Sequence, residues 1–235
     1  DGLFHRRVLG VENGNLDSFF ETGTHMRQKL SRSMKDHFVV AEGVMGYFDG
    51  LGGVSLQGSS FEIGTILGLP AILVVDGRGA SLSLMALIQG FLEYDGAASV
   101  DCEKKTHNKA GCDVECMPGM GEEYFRESGW KINEKNYRDK KTRNIRGVFF
   151  NRMSPMIYNR LKPMVEERFQ IPVIGYLPDL KFLQVGSRHL GLVLPDEIDG
   201  IREQLDQLAD RMDENLEWET LLRIAADAEG CDREA

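Results

Sequence analysis

Short β-branched runs alternate along the chain with stretches whose apolar residues recur at helical spacing. Phe38–Ala41 (FVVA), Ala71–Val75 (AILVV), Ile145–Phe150 (IRGVFF) and Pro172–Tyr176 (PVIGY) read as buried parallel strands that end in loops. Apolar residues three and four positions apart predict helices over about Thr24–Lys35, Ser60–Leu67, Ser81–Tyr94 and Pro155–Phe169. This order implies an α/β fold: a doubly wound, mostly parallel sheet with right-handed crossovers, which gathers its ligands at the carboxyl ends of the strands. Function is therefore expected in the loops that follow the strands.

Asp95–Arg143 breaks the rhythm, being rich in lysine, glutamate and glycine and almost without apolar periodicity. At roughly fifty residues it exceeds an ordinary loop, and it reads as an insertion, partly disordered or forming a small substructure of its own. Beyond it, Asp196–Met212 and Trp218–Ala226 have helical spacing, and the polar Glu229–Ala235 is expected to fray. No internal repeat is visible.

Composition narrows the function classes. The 235 residues carry 28 Lys and Arg against 37 Asp and Glu, a formal net charge of -9, which argues against nucleic acid or another polyanion as partner. Hydrophobic residues at 42% and charged residues at 28% exclude wholesale disorder. Apolar runs such as Leu69–Val75 fall far short of the ~18 residues of a membrane span. Four cysteines and no secretory apolar region near the start point to a reducing cytoplasm. The chain begins with Asp1, which suggests processing or an internal fragment.

The segment Glu42-Gly43-Val44-Met45-Gly46-Tyr47-Phe48-Asp49-Gly50 directly follows the run Phe38–Ala41. A carboxylate at a strand end, beside glycines and a second carboxylate seven residues on, can hold a hydrated Mg²⁺ while the backbone comes close to phosphate. The same residues are equally compatible with a glycine-rich turn whose acidic groups face water. Cys102, Cys112 and Cys116 with His107 could supply four zinc ligands, but their irregular spacing favours solvated thiols, and no metal is assigned there.

The Glu42–Gly50 segment closely resembles the EGVMGLFDG loop of the cobyrinic acid a,c-diamide synthases, glutamine-dependent amidotransferases of corrin biosynthesis. Asp1–Phe20 resembles that family's stretch from the last aspartate of its GPDYID motif to its NLD motif, here Asn15-Leu16-Asp17. Gly58–Pro70 (GSSFEIGTILGLP), Ala71–Ser83 (AILVVDGRGASLS), Gly147–Arg152 (GVFFNR), Pro172–Pro178 (PVIGYLP) and Ser187–Val193 (SRHLGLV) follow in the family's order.

The resemblance implies a P-loop NTPase fold of the dethiobiotin-synthetase type, incomplete at its N-terminus. Residues 1–194 would form the ATP-dependent synthetase domain, with the insertion at 95–143, and 195–235 a helical tail toward a glutaminase domain absent from this chain. It implies ATP as co-substrate, Mg²⁺, and amidation of the a- and c-carboxylates of cobyrinic or hydrogenobyrinic acid through acyl phosphates, with ammonia from glutamine. A homodimer is the candidate assembly. By position, Glu42 matches the magnesium-coordinating glutamate, Asp49 the acidic residue at the phosphorylated intermediate, and Asp1 an aspartate near the corrin carboxylates. Asn151 matches the asparagine that reads adenine; without the resemblance it would be a turn residue ending a strand. Gly43, Gly46 and Asp76 fall on the nucleotide side; Asp76 and Ser81 flank the loop after Ala71–Val75, and capping alone would explain Ser81. Asp17, Arg188 and His189 are candidate substrate contacts; Asp17 is equally a capping residue and His189 equally a structural histidine.

The chain departs from the family in two respects. No Gly-Lys pair occurs anywhere, so the phosphate-wrapping G-x-x-x-x-G-K-[ST] loop is missing, which truncation upstream of Asp1 would explain; the chain is then expected to be inactive alone. Cys231 lies in a polar tail and is not read as a glutaminase nucleophile. A cobyric acid synthase-like amidotransferase and a noncatalytic corrinoid-binding or regulatory remnant are the alternatives.

Overall fold

The computed structural model describes residues 2–35, 37–94, 144–183 and 200–228. They fall into two compact units. One comprises residues 2–16, 69–92, 145–183 and 200–228, and the other residues 17–68, 93–94 and 144.

The first unit is built on a parallel sheet of β1 (Ala71–Asp76), β2 (Ile145–Asn151) and β3 (Val173–Tyr176), in the order β1-β2-β3. Asp76 pairs with Asn151 and Phe150 with Tyr176, so the three strands end level with one another. Among the described strands the order runs in one direction, without the reversal that marks a doubly wound sheet. Helix α1 (Gly2–Leu9) precedes the sheet; α4 (Ser83–Glu93) lies between β1 and β2 in the chain, and α5 (Pro155–Phe169) joins β2 to β3. Ser154 caps α5 through its hydroxyl, which accepts from the Ile157 amide at 3.4 Å, and Pro155 occupies a first-turn position that needs no amide hydrogen.

Alternate residues of β2 serve the two sheet faces, as the period-two pleat requires. Phe149 packs with Ile174, Leu177, Leu216 and Ile224, the last two contributed by the C-terminal segment of α6 (Ile201–Asn215) and α7 (Trp218–Ala226). The segment anticipated as a tail thus supplies core to the sheet. Phe150, fully buried, meets the Tyr158 ring of α5 edge-on at 6.4 Å, and Tyr158 stacks on Tyr176 at 4.2 Å.

Gly175 is where the C-terminal segment locks on. Its φ of 145° lies in the range that L side chains avoid, and a Cβ there would collide with the Asn215 carbonyl and stand 3.0 Å from Leu216 Cα. That approach lets Gly175 bridge to Leu216 and the Glu217 amide donate to the Ile174 carbonyl at 2.8 Å. Lys162 of α5 reinforces it by donating to Glu217 and, at 3.4 Å, to the Val173 carbonyl, with Glu166 at 3.6 Å. Partial burial pulls the Lys162 pKa down; the Glu217 hydrogen bond and the neighbouring Tyr158 and Glu166 outweigh it and leave the pKa above the ordinary lysine value.

The second unit packs α2 (Gly23–Met34) on α3 (Ser60–Leu67), burying Met26 and Leu30 from one helix and Ile66 and Leu67 from the other. Thr22 caps α2 by accepting from the His25 amide at 3.3 Å. Arg27 donates to the Ile66 carbonyl at 2.8 Å, which satisfies an orphan acceptor in the last turn of α3. Gly68, at φ 65°, ends that helix in the left-handed conformation.

One predicted element is absent. Phe38–Ala41 is irregular, with Phe38 63% and Val40 80% exposed, and it pairs with no strand among the described residues. β-Branched composition favours a strand only where a ladder partner and a packed face exist, and the described residues supply neither. Arg188, His189, Asp1, the 95–143 insertion and all four cysteines lie outside the described residues. No helix among those described is long and apolar enough to cross a membrane.

Gly175→Ala is expected to lower stability by about 2 kcal/mol or more, measured by urea unfolding, because both the φ and the Asn215 carbonyl forbid the added methyl. A second expectation concerns alkaline pH. A lysine whose folded pKa is raised contributes stability that is complete below its unfolded pKa and lost as pH rises through the folded value. The stability difference between the wild type and Lys162→Met should therefore hold at neutral pH and shrink as pH climbs past about 10.4, followed by urea titrations across that range.

Candidate functional site

In the second unit, two motif segments meet at the N-terminus of α3. Ser59 caps the helix, its hydroxyl accepting from the Glu62 amide at 3.1 Å, and Glu62 reaches back to accept from the Gly58 amide at 2.7 Å. This is a capping-box arrangement shifted by one residue. The same Glu62 oxygen accepts from the Ser18 hydroxyl at 2.7 Å, which ties the turn after Asp17 to the helix. Asp17 closes that turn itself: its carboxylate accepts from the Phe19 amide at 2.9 Å and its carbonyl from the Glu21 amide at 2.9 Å.

The Glu42–Gly50 loop lies against the same helix start. A Cβ on Gly43 would stand 2.5 Å from Ser60 Oγ, one on Gly46 would strike the Asp49 carboxylate, and one on Gly50 would strike the Gln57 carbonyl. At Gly50 the neighbours are backbone carbonyls, so that glycine is demanded by close approach; at Gly43 and Gly46 they are side-chain ends that could turn aside. The Asp49 amide donates to the Gly46 carbonyl at 2.9 Å and the Phe61 amide to the Tyr47 carbonyl at 2.9 Å. Tyr47, Phe48, Phe61 and Tyr94 pack ring against ring at 4.9–5.7 Å and anchor the loop from beneath. Glu42, Gly43, Gly46 and Asp49 remain exposed.

In the sheet unit, polar groups gather where β1 and β2 end. The Asp76 carboxylate receives both Nε and Nη2 of Arg152 and, at 3.1 Å, the Arg78 amide. The Arg152 hydrogen bond, then the Arg78 amide, hold the Asp76 pKa below the ordinary aspartate value. The Gly77 amide donates to the Asn151 carbonyl at 2.7 Å, and the Met153 amide to the Leu177 carbonyl at 2.9 Å. The loops after all three strands are thereby stitched together, and the Asn151 side chain hydrogen-bonds to no described residue.

The structure thus groups Glu42, Gly43, Gly46, Asp49 and Asp17 in one unit and Asp76 and Asn151 in the other. Asp1, Arg188 and His189 lie outside the described residues. Sequence reasoning missed Glu62, Ser18 and Arg152 as organisers of these loops. The signal for Glu62 was its place three residues after Ser59, and for Arg152 its place directly after Asn151 in the GVFFNR run.

The parallel sheet and its helices define an α/β fold. Comparison with known proteins is more specific. The chain is 30% identical over 225 residues to the cobyrinate a,c-diamide synthase of Clostridium acetobutylicum, covering 95% of this chain and 41% of that protein. It is 27% identical over 224 residues to the cobyrinate a,c-diamide synthase of Clostridium tetani, covering 95% and 40%. With the hydrogenobyrinate a,c-diamide synthase of Brucella ovis it shares 29% identity over 231 residues, covering 95% and 41%. The chain is a homologue of the cobyrinate and hydrogenobyrinate a,c-diamide synthases, and it spans about two fifths of the length of these curated relatives. No family profile matches it, and no solved structure does.

The Asp76–Arg152 pair has a defined pH signature. An aspartate whose folded pKa is depressed contributes stability above its unfolded pKa and loses it as pH falls through the folded value. The melting temperature of the wild type should exceed that of Asp76→Asn at neutral pH, and the gap should close in acid below the usual aspartate range, measured by thermal scans from pH 7 downward.

Proposed function

We infer that this chain carries part of an ATP-dependent ligase that amidates the a- and c-carboxylates of cobyrinic or hydrogenobyrinic acid in cobalamin biosynthesis. The observation that carries this reading is its alignment, over 95% of its length, with synthases so named. The parallel sheet with functional loops at its carboxyl edge is compatible with a P-loop fold of the dethiobiotin-synthetase type. The reaction needs activation because a carboxylate is a poor electrophile; phosphorylation makes one oxygen a leaving group, and ammonia, released from glutamine by a separate glutaminase domain, displaces it.

The donor chemistry of this chain suits Mg²⁺. Among the described residues no group of three or more His, Cys, Asp or Glu side chains could cage a metal. Magnesium does not need such a cage, because it keeps several waters and takes one or two carboxylates together with substrate phosphates. Glu42, exposed on its glycine bend, would hold it, and the bound ion would supply charge neutralisation on the phosphates. By the same family resemblance, Gly43 and Gly46 would let the backbone approach phosphate, and Asp49 would act on the phosphorylated carboxylate. Asn151 reads the adenine edge, since an amide both donates and accepts, with Asp76 in the adjoining loop. By the same family resemblance, Asp17, Asp1, Arg188 and His189 would be substrate contacts, the last two as donors to carboxylates.

In the protein as its gene encodes it, Glu42→Gln should cut ATP-dependent amidation of cobyrinic or hydrogenobyrinic acid by about 100-fold or more while leaving the circular dichroism spectrum intact. The assay is product formation with ATP and either glutamine or ammonia, run with both corrin acids. Turnover near the wild-type level in the variant would remove Glu42 from the metal site.

A further inference from the structure

The loops after β1 and β2 contain one backbone outlier and one two-pronged ion pair, and both involve Arg152. Its φ is 55°, in the left-handed region that arginine seldom enters. The conformation is imposed from both sides. On the Asn151 side the carbonyl accepts from the Gly77 amide at 2.7 Å; on the Met153 side the amide donates to the Leu177 carbonyl at 2.9 Å, and the Met153 side chain is 1% exposed. The Met153 side chain fills the space over Gly77, where an added Cβ would lie 3.1 Å from Met153 Cβ. With its neighbours fixed, the arginine turns its guanidinium onto Asp76, engaging both carboxylate oxygens through Nε and Nη2.

This arrangement costs more than a turn needs. A left-handed non-glycine residue is unfavourable by roughly 1–3 kcal/mol, and a solvent-facing ion pair returns little unless it is bidentate and rigid. Sites that keep such strain are commonly those where a neighbouring group must be held in one orientation. The neighbouring group here is the Asn151 side chain, whose amide hydrogen-bonds to no described residue and is adjacent in sequence to the outlier. Asp76 is its register partner on β1.

We propose that Arg152 is a positioning residue for nucleobase selection: by clamping the β1 and β2 loops through Asp76 it fixes the backbone from which the Asn151 side chain projects, and so sets the preference for adenine over guanine. The inference rests on the reading of Asn151 as the adenine contact. Adenine presents a donor and an acceptor where guanine presents the reverse pattern, so an amide discriminates between them only when it meets the base edge in a fixed register.

The test is equilibrium binding of ADP and GDP by calorimetry, on the protein as its gene encodes it. The variants are Arg152→Ala, Arg152→Lys, Asp76→Asn, Asn151→Ala and the double variant Arg152→Ala/Asn151→Ala. The wild type should prefer ADP. Arg152→Ala and Asp76→Asn should each reduce the ADP-to-GDP affinity ratio by about tenfold, the scale of one or two hydrogen bonds, and Arg152→Lys should not restore it because lysine lacks the planar fork. In the Asn151→Ala background, Arg152→Ala should change the ratio no further. Should Arg152→Ala fail to fold, Asp76→Asn, which preserves the shape of the pair, decides the matter. A wild type without base preference would overturn the reading of Asn151 itself. A wild-type preference that survives Arg152→Ala or Asp76→Asn within about twofold would overturn the positioning role alone.

Discussion

The sheet unit depends on the pairing of β2 along both of its edges. Because Ile145–Asn151 is hydrogen-bonded to β1 on one side and β3 on the other, its register decides where every neighbouring loop begins. A shift of one residue would send Phe149 and Phe150 to the opposite faces and separate Asp76 from Asn151. The two phenylalanines resist such a shift, since one belongs to the core with Ile174, Leu216 and Ile224 and the other packs against Tyr158 of α5. Apolar packing therefore fixes the register, and the register places the polar groups at the strand ends.

Much of this arrangement was legible in the sequence. The runs at Ala71, Ile145 and Val173 became β1, β2 and β3, and the helical spacing after Ser59 and Ser154 became α3 and α5 with those serines as caps. These segments carry their signal locally, in periodicity and capping chemistry. Phe38–Ala41 has equally strong strand composition yet stays irregular, because a strand exists only in a pair and composition cannot supply a partner. The leucine spacing after Pro195 predicted helices, but their anchorage on β3 depends on Gly175, whose role appears only when the Asn215 carbonyl is seen beside it.

Less of the candidate site was legible. The Glu42–Gly50 bend is exposed and acidic, as its composition suggested, and Gly50 is required where the Gln57 carbonyl crowds it. What the residue string did not disclose is the role of Glu62, which joins the turn after Asp17 to the start of α3 by accepting from both Ser18 and Gly58. Charged residues on a helix start usually read as capping alone, and the long-range bond to Ser18 has no local trace.

The pairing pattern also bears on how the sheet is assembled. Ala71 and Ile145 are partners 74 positions apart, whereas Val148 and Val173 are separated by 25. Closing the longer span costs about 1 kcal/mol more in chain entropy, a difference that grows only logarithmically with length. The unit β2–α5–β3 is thus favoured to form first and β1 to dock onto it, an order that kinetic φ-values at Val173 and Leu73 would reveal. The same logarithm explains how a chain can carry residues 95–143 between two adjacent strands at little cost to the finished sheet.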